Sequence, residues 1–391
     1  MARSPRPPWS DGLPPELLGV IFEQLNCLAD RACFAAVCRP WRTAAAFVDA
    51  PQRGLPWLLL PSRDAPSFFS LHSGATRHLT LPEGVRGARL CGAHDGGWVA
   101  VAVDPWRGFA AVNLFTGVRV TLPDKLRLEV PYAHGYGPVT VTSHHPMLVR
   151  TIVFSSPPTS PDCVAAAHVS SASNIAFWQP GMSRHWIASR PEPDVIQDII
   201  YYSGEEKQGF HVLTNREDVL VYAPRAGRDP NALLEMTCAS YQLRRRANHL
   251  PASFISTRYL VESRGKLLMV VRHCTGNPRV RRRTRMFRVF EMSLYPTGAY
   301  WVEIHELSGR ALFLRRGCSR AVEVSQFKML KEDTIYFLDD ANVDMCDSMV
   351  MNNGSRYNMG IYRDGKKIRA GSRQFPRGFT ADCSPPIWLV P

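Results

Sequence analysis

Two regimes of hydrophobic patterning divide the chain. From residue 13 to residue 48, Leu17, Leu18, Ile21, Phe22 and Leu25 recur at spacings of one, three and four, which predicts a helix carrying all five on one face. Pro14 and Pro15 suit its first turn, where a missing N–H costs nothing, and Asn26 marks its end. A second helix is predicted from about Asp30 through Phe34 and Val37 until Pro40 interrupts it, and a third over 41–47. After Pro51 the helical period gives way to short apolar or alternating runs bounded by Gly, Pro, Asn and Asp, the pattern of an all-β chain. These runs predict strands over 57–60, 67–71, 76–81, 97–103, 109–114, 118–122, 148–154, 164–169, 175–178, 195–202, 210–213, 219–222, 259–261, 267–271, 286–292, 300–304, 311–314, 334–338 and 359–362. So many strands exceed one sandwich.

An internal repeat narrows the architecture. The run from Phe69 through Leu-His-Ser-Gly74 to Leu81-Pro82 is echoed by the run from Val112 through Leu-Phe-Thr-Gly117 to Leu122-Pro123. Each places a Gly-containing turn between two strands and then Leu-Pro. That period of about 40 residues is the length of a propeller blade, a four-stranded sheet that buries its faces only by stacking on its neighbours. The expected fold is mainly β, an N-terminal three-helix unit followed by a six- or seven-bladed β-propeller; the alternative is two stacked β domains. The expected divisions are a disordered tail over 1–8, the helical unit over 9–49, a linker over 50–56 and the propeller over 57–391.

With 391 residues, 45% of them hydrophobic and 21% charged, the chain can bury a sizeable core. No run of eighteen apolar residues occurs, and the opening MARSPRPPWS has charge and proline where a signal peptide needs an apolar stretch, so secretion and membrane insertion are not expected. The ten cysteines form no CxxC pair and are read as reduced thiols, which points to the cytoplasm, the nucleus or both.

Charge alters the picture because it is local. Between residues 236 and 290 there are thirteen basic residues against one acid, Glu262, and this window supplies nearly all of the +13 excess. A uniformly basic, DNA-wrapping surface is therefore not expected. Inside the window, Arg279, Arg281, Arg282, Arg283 and Arg285 form a dense run. It reads first as a solvated loop between two strands, then as an import signal or a contact for an acidic partner. Nucleic acid is disfavoured because no aromatic residue lies between Cys274 and Arg285 to stack on bases.

No catalytic, cofactor or metal site is predicted. His144 and His145 are adjacent, would point to opposite faces of a strand, and are read as a loop pair before Pro146. Asp339, Asp340, Asp344 and Asp347 lack the alternation, central Gly and terminal Glu of an EF-hand. Gly92-Ala-His-Asp-Gly-Gly97 lacks the strand-to-helix setting and the Lys-Ser/Thr ending of a phosphate cradle, and is read as a hairpin turn. The helical unit, by contrast, has more apolar side chains than about forty residues can cover internally, so a docking face is expected, with packing on the propeller as the alternative.

Leu13-Pro-Pro-Glu-Leu-Leu18 continued by Ile21 and Leu25, with Val37-Cys38-Arg39-Pro40-Trp41 at this separation, resembles an F-box. The remainder resembles the propeller domain of unknown function in a large family of plant F-box proteins of the kinase-interacting type. The matching pieces include Gly97-Trp98, Asn113-Leu-Phe-Thr-Gly117, Ile175-Ala-Phe-Trp178, Tyr259-Leu-Val-Glu-Ser-Arg-Gly-Lys266, Asp333-Thr-Ile-Tyr-Phe-Leu338 and Pro385-Pro-Ile-Trp388. The resemblance implies a non-enzymatic substrate receptor of an SCF-type cullin–RING ubiquitin ligase, acting in ubiquitin-dependent protein degradation. The F-box would dock on a Skp-family adaptor, and through it a cullin, by Leu13, Pro14, Leu17, Leu18, Ile21, Leu25, Val37, Cys38 and Trp41. The propeller would hold an unknown protein substrate. Two other readings stay open: a propeller-based regulatory binder that no longer engages the ligase, and a propeller enzyme or lectin-like binder.

Overall fold

The computed structural model describes residues 13–25, 30, 34–35, 37–47, 55–62, 66–78, 81–82, 85–103, 108–134, 137–146, 148–170, 174–181, 184–189, 195–204, 208–224, 234, 236–241, 243–244, 255–275, 283–296, 298–338, 359–363, 366–368 and 384–390. The expected tail over 1–8 and most of the linker over 50–56 lie outside these residues, as do the four aspartates from Asp339 to Asp347.

Two helices are described, α1 (Pro15–Glu23) and α2 (Arg39–Phe47), and Asp30, Phe34, Ala35 and Val37 between them are helical. The rest of the expected middle helix lies outside the described residues. Pro15 opens α1, as its fixed φ favours. Pro40 does not end a helix but sits in the first turn of α2, which needs no N–H from it. The five apolar positions of α1 and its extension do not share one face: Leu18 is buried against Phe34 and Ala44 with Phe22, Leu25 and Trp41 around them, while Leu17 and Ile21 point to solvent.

The β region forms six sheets among the described residues, so the propeller has six blades. Blade I contains β1 (Trp57–Leu60), β2 (Ser67–Ser70) and β3 (Ala75–His78); blade II contains β4 (Arg89–His94), β5 (Trp98–Ala102), β6 (Phe109–Asn113) and β7 (Arg119–Thr121). A hairpin follows, β8 (Lys125–His134) and β9 (Gly137–Pro146), which the hydrophobic pattern does not predict; it extends the outer edge of blade III, β10 (Val149–Phe154), β11 (Ala165–Val169), β12 (Ile175–Trp178) and β13 (Trp186–Ala188). His144 and His145 lie on β9, not in a loop. Blade IV is β14 (Ile196–Tyr202), β15 (Gly209–Thr214), β16 (Val219–Pro224) and β17 (Met236–Tyr241). The short β18 (Leu243–Arg244) edges blade V, which is β19 (Ile255–Ser263), β20 (Lys266–Thr275), β21 (Arg283–Tyr295) and β22 (Gly298–Ile304). Blade VI, made of β23 (Arg310–Leu314), β24 (Arg320–Glu323), β25 (Thr334–Phe337), β26 (Gly360–Arg363) and β27 (Lys366–Ile368), has the order 24-23-25-26-27, with β23 and β25 parallel. The last strand, β28 (Ile387–Leu389), returns to blade I and pairs antiparallel with β1, Leu58 opposite Trp388, so the two ends of the propeller close one sheet.

The repeat read from the sequence coincides with the outer hairpins of blades I and II. In blade II, Asn113 Oδ1 accepts the N–H groups of Phe115 and Thr116, and its Nδ2 donates to Gly96 O. In blade I, Ser70 O accepts the Gly74 N–H across the turn. Between blades, five contiguous apolar clusters form the core, and the indole N–H groups of Trp186, Trp301 and Trp388 donate to backbone carbonyls of neighbouring segments, Pro123, Glu217 and Leu314. A buried indole that keeps its hydrogen bond contributes both area and direction.

Candidate interaction surfaces

Three inner strands each carry one extra residue near their start: Cys91 in β4, Arg150 in β10 and Gln197 in β14. A bulge releases ladder groups that must find other partners. Here other blades supply them. Arg89 of blade II donates to Val149 O of blade III, Arg315 of blade VI donates to Leu90 O of blade II at 3.2 Å, and Leu90 N–H donates to Ser384 Oγ at 2.8 Å. Asp198, fully buried beside the bulge in β14, accepts N–H groups from Ile199, from Leu260 of blade V at 2.9 Å and from Gly317 of blade VI at 2.7 Å. Burial pushes its carboxyl up to about 7, against the opposing pull of those N–H groups and of Arg316. Gly317 has φ +74, and a Cβ there would lie 2.0 Å from Thr151 Cγ2, so only glycine brings this amide to the carboxylate.

Where the inner strands end, an axial cavity of about 240 Å³ opens, lined from every blade: Val390, Asp95, Phe154, Tyr201, Glu262 and Arg320 represent blades I to VI. Asp95 and Arg320 form an ion pair across it. Burial lowers the His94 imidazole below its ordinary range, Asp95 opposes the shift and Arg320 adds to it. The space holds one or two side chains rather than a drug-sized ligand.

A second and larger hollow, about 540 Å³, lies between blades IV and V on the same face. Tyr202, Tyr241, Met292 and Leu294 form its apolar walls, and Arg264 and Lys266 its lip. The lip is the tip of the β19–β20 hairpin, where Arg264 and Gly265 both have positive φ, +52 and +71, the geometry of a two-residue primed turn that Ser-Arg-Gly-Lys encodes locally. Glu262 Oε1 accepts the Gly265 N–H at 2.9 Å, and Tyr202 Oη donates to Gly265 O at 2.5 Å, which pins the turn to blade IV.

The third surface is helical. Leu13, Leu17, Val20, Ile21 and Val37 are all exposed, Leu17 at 50% and Val20 at 54%. Pro14 is also exposed, Cys38 and Trp41 are half-buried, and Leu18 and Leu25 face inward. The nine residues that the F-box resemblance singles out thus divide between the unit's own core and an outward apolar strip. Val20 joins that strip without having been singled out, since it falls outside the i, i+4 series that Leu17 and Ile21 make; its exposure in an apolar run is what identifies it.

The basic window changes meaning once its partners are placed. Arg258 pairs with Glu217, Arg264 with Glu323, Lys266 with Glu291 and Arg288 with Glu303, all four acids lying outside the window. Arg272 is buried, donating to Thr284 Oγ1, Tyr259 Oη and Leu338 O and stacking over Phe337. Four of the window's thirteen cations are thus matched by inter-strand or inter-blade pairing. Arg279, Arg281 and Arg282 lie outside the described residues; Arg283 and Arg285, expected in the loop, are on β21, where Arg285 donates to Thr275 Oγ1. Among the described residues no three His, Cys, Asp or Glu side chains gather in a metal-holding group, six cysteines are free thiols, and no helix is long and apolar enough to cross a membrane.

Comparison with known proteins bears on both parts. The profile of the KIB1-4 beta-propeller matches residues 68–363. An F-box/kelch-repeat protein of Arabidopsis thaliana is 25% identical over 322 residues, covering 78% of this chain and 73% of its own length.

Proposed function

The chain belongs to the KIB1-4 β-propeller family, and from that premise we propose that it is a substrate-recognition subunit of an SCF-type cullin–RING ubiquitin ligase. The residues over 9–49 act as a three-helix F-box that docks on a Skp-family adaptor, and the propeller holds the target protein. Catalysis is borrowed: the receptor's contribution is proximity, because a target lysine held near a charged ubiquitin carrier reacts from a tethered encounter. The F-box name of the Arabidopsis relative supports this reading.

The observation that carries it is the outward apolar strip. Five large apolar side chains on one small helical unit are still 38–54% exposed, so covering them yields roughly half of the 1.5–3 kcal/mol that full burial of each gives. Together they offset the lower part of the roughly 4–15 kcal/mol that association costs in lost freedom. Leu13, Leu17, Val20, Ile21 and Val37 make the contact; Pro14 sets the entry to α1, and Leu18, Leu25, Cys38 and Trp41 hold the strip in shape from beneath.

Co-purification of the full chain with a Skp-family adaptor tests the reading. Leu17→Asp combined with Ile21→Asp abolishes capture, because each carboxylate would be desolvated without a partner, while the thermal transition of the propeller stays in place. Capture that survives the double substitution overturns the assignment.

A further inference from the structure

The blade IV–V hollow is a groove that adjoins the axial cavity at Ser203, which lines both. We propose that this groove is where the propeller takes its partner, and that the partner segment it accepts is acidic, with an aliphatic or aromatic side chain anchored between blades IV and V and flanking carboxylates on the Arg264–Lys266 lip. The proposal rests on the reading of the propeller as the target-binding part and names the target's chemistry.

Shape and exposure come first. A hollow of about 540 Å³ accommodates an anchor side chain and its neighbours, and its apolar wall reaches the surface at Leu294, exposed at 44% near the end of β21. A large apolar residue exposed at the rim of a preformed hollow marks a contact surface.

Charge fixes the kind of partner. The Arg264 side chain is 50% exposed against 34% for Glu323, and that of Lys266 is 59% exposed against 19% for Glu291. In both lip pairs the cation is the more exposed partner, and the Glu262 carboxylate is engaged by the Gly265 N–H, so the outermost charges of the lip are positive although the pairs themselves are neutral. Ion pairs this exposed contribute little to stability, whereas outward cations on a chain of net charge +13 steer an acidic segment toward the groove. The lip is also rigid, because Glu262 and Tyr202 hold Gly265 from two blades; the groove is thus ordered before anything binds, which lowers the cost of capture.

The test uses a random peptide library displayed on phage and selected against the full chain. The expected clones carry Leu, Phe, Tyr or Trp close to Asp or Glu. A synthetic peptide of the most enriched sequence loses about tenfold in affinity to Lys266→Glu and to Leu294→Asp, roughly 1.4 kcal/mol each, and weakens as salt rises because the lip is solvent-screened. Substituting Val195→Ser, exposed at the opposite ends of the strands, leaves binding unchanged. Clones enriched in Lys or Arg, no enrichment, or binding that survives both groove substitutions overturns the proposal; so does enrichment that vanishes when the chain is kept from self-associating. All variants are checked for an unaltered thermal transition, and adaptor capture is scored in parallel. Lost peptide selection with adaptor capture intact removes the groove alone, while lost adaptor capture with peptide selection intact removes the ligase reading and leaves the groove.

Discussion

The helical unit and the propeller both draw on apolar sequence and use it in opposite ways. Among the described residues of the helical unit only Leu18, Phe34 and Ala44 are fully buried. Of the eleven large apolar residues exposed among the described residues, five (Leu13, Leu17, Val20, Ile21 and Val37) fall within its short span. In the propeller, strands such as β1, β5, β6, β11 and β15 are buried along their whole length, because each blade is covered by the next on both faces. Hydrophobic content alone therefore does not report burial. A ring of sheets closes on itself and leaves few apolar residues over; a helical unit of this size cannot, and its surplus is available to a partner.

The comparison breaks most severely if the ring is opened. Removing residues 384–391 deletes β28 and its pairing with β1, uncovers the edge of β1, and removes Trp388, whose truncation to alanine alone is expected to cost about 3–5 kcal/mol. The truncated chain is expected to lose the cooperative propeller transition in calorimetry, and a wild-type melting temperature would refute ring closure as the source of propeller stability.

Next in size is Asp198, which ties blades IV, V and VI together. Asp198→Ala leaves three N–H groups without their acceptor, each costing about 1–3 kcal/mol when buried, and should lower the midpoint of denaturant unfolding clearly. A pH series against Asp198→Asn isolates the charge. Because burial raises the folded-state carboxyl from 3.8 to about 7, the unfolded chain ionises first as pH rises, and stability is lost. The advantage of wild type over the Asp198→Asn variant should therefore be greatest below about pH 4, decline through the interval up to about 7, and then level off. A rising advantage would show that the N–H groups and Arg316 outweigh desolvation.

Smaller still is Leu18→Ala. It hollows the cluster that Leu18 forms with Phe34 and Ala44, costing about 2–5 kcal/mol there, and should weaken adaptor capture while leaving the propeller transition unmoved. The smallest stability effect belongs to Val20→Asp, on the outward strip, where a change within about 0.5 kcal/mol is expected. Its capture of the adaptor should nonetheless fall, which separates a residue that shapes the strip from one that makes the contact.

Much of the propeller was legible. The strands over 57–60 and 175–178 are as the pattern predicts, the repeat marks true blade hairpins, and Pro385-Pro-Ile-Trp388, which carried part of the family resemblance, leads into the closing strand. Most misses share a cause. β17 is exposed along nearly its whole length and β24 is half-buried throughout, so neither alternates, and β13, β18, β27 and the β8–β9 hairpin lie at or beyond the outer strands of their blades, where pairing, not burial, makes the strand. β4 is the exception: it is buried, its pattern is interrupted by the bulge at Cys91 and by Gly92, and Gly92 to His94, expected in a hairpin turn, lie on it. The groove was illegible for another reason: its walls come from β14, β17, the β19–β20 turn and β21, far apart in the chain.

By itself the sequence determined the local and periodic facts: an apolar helix opened by prolines, blade-length repetition, the Ser-Arg-Gly-Lys turn, and a surplus of arginine in one window. Each depends on residues within a few positions of one another, where backbone geometry and side-chain spacing are fixed by covalent reach. Only the tertiary structure decided that Leu18 faces inward while Leu17 faces out, that Arg258 meets Glu217 and Arg264 meets Glu323, and that Asp198 gathers amides from Leu260 and Gly317. Those outcomes depend on which blade stacks on which, and stacking brings together residues dozens of positions apart whose desolvation and pairing energies exist only once the ring has closed.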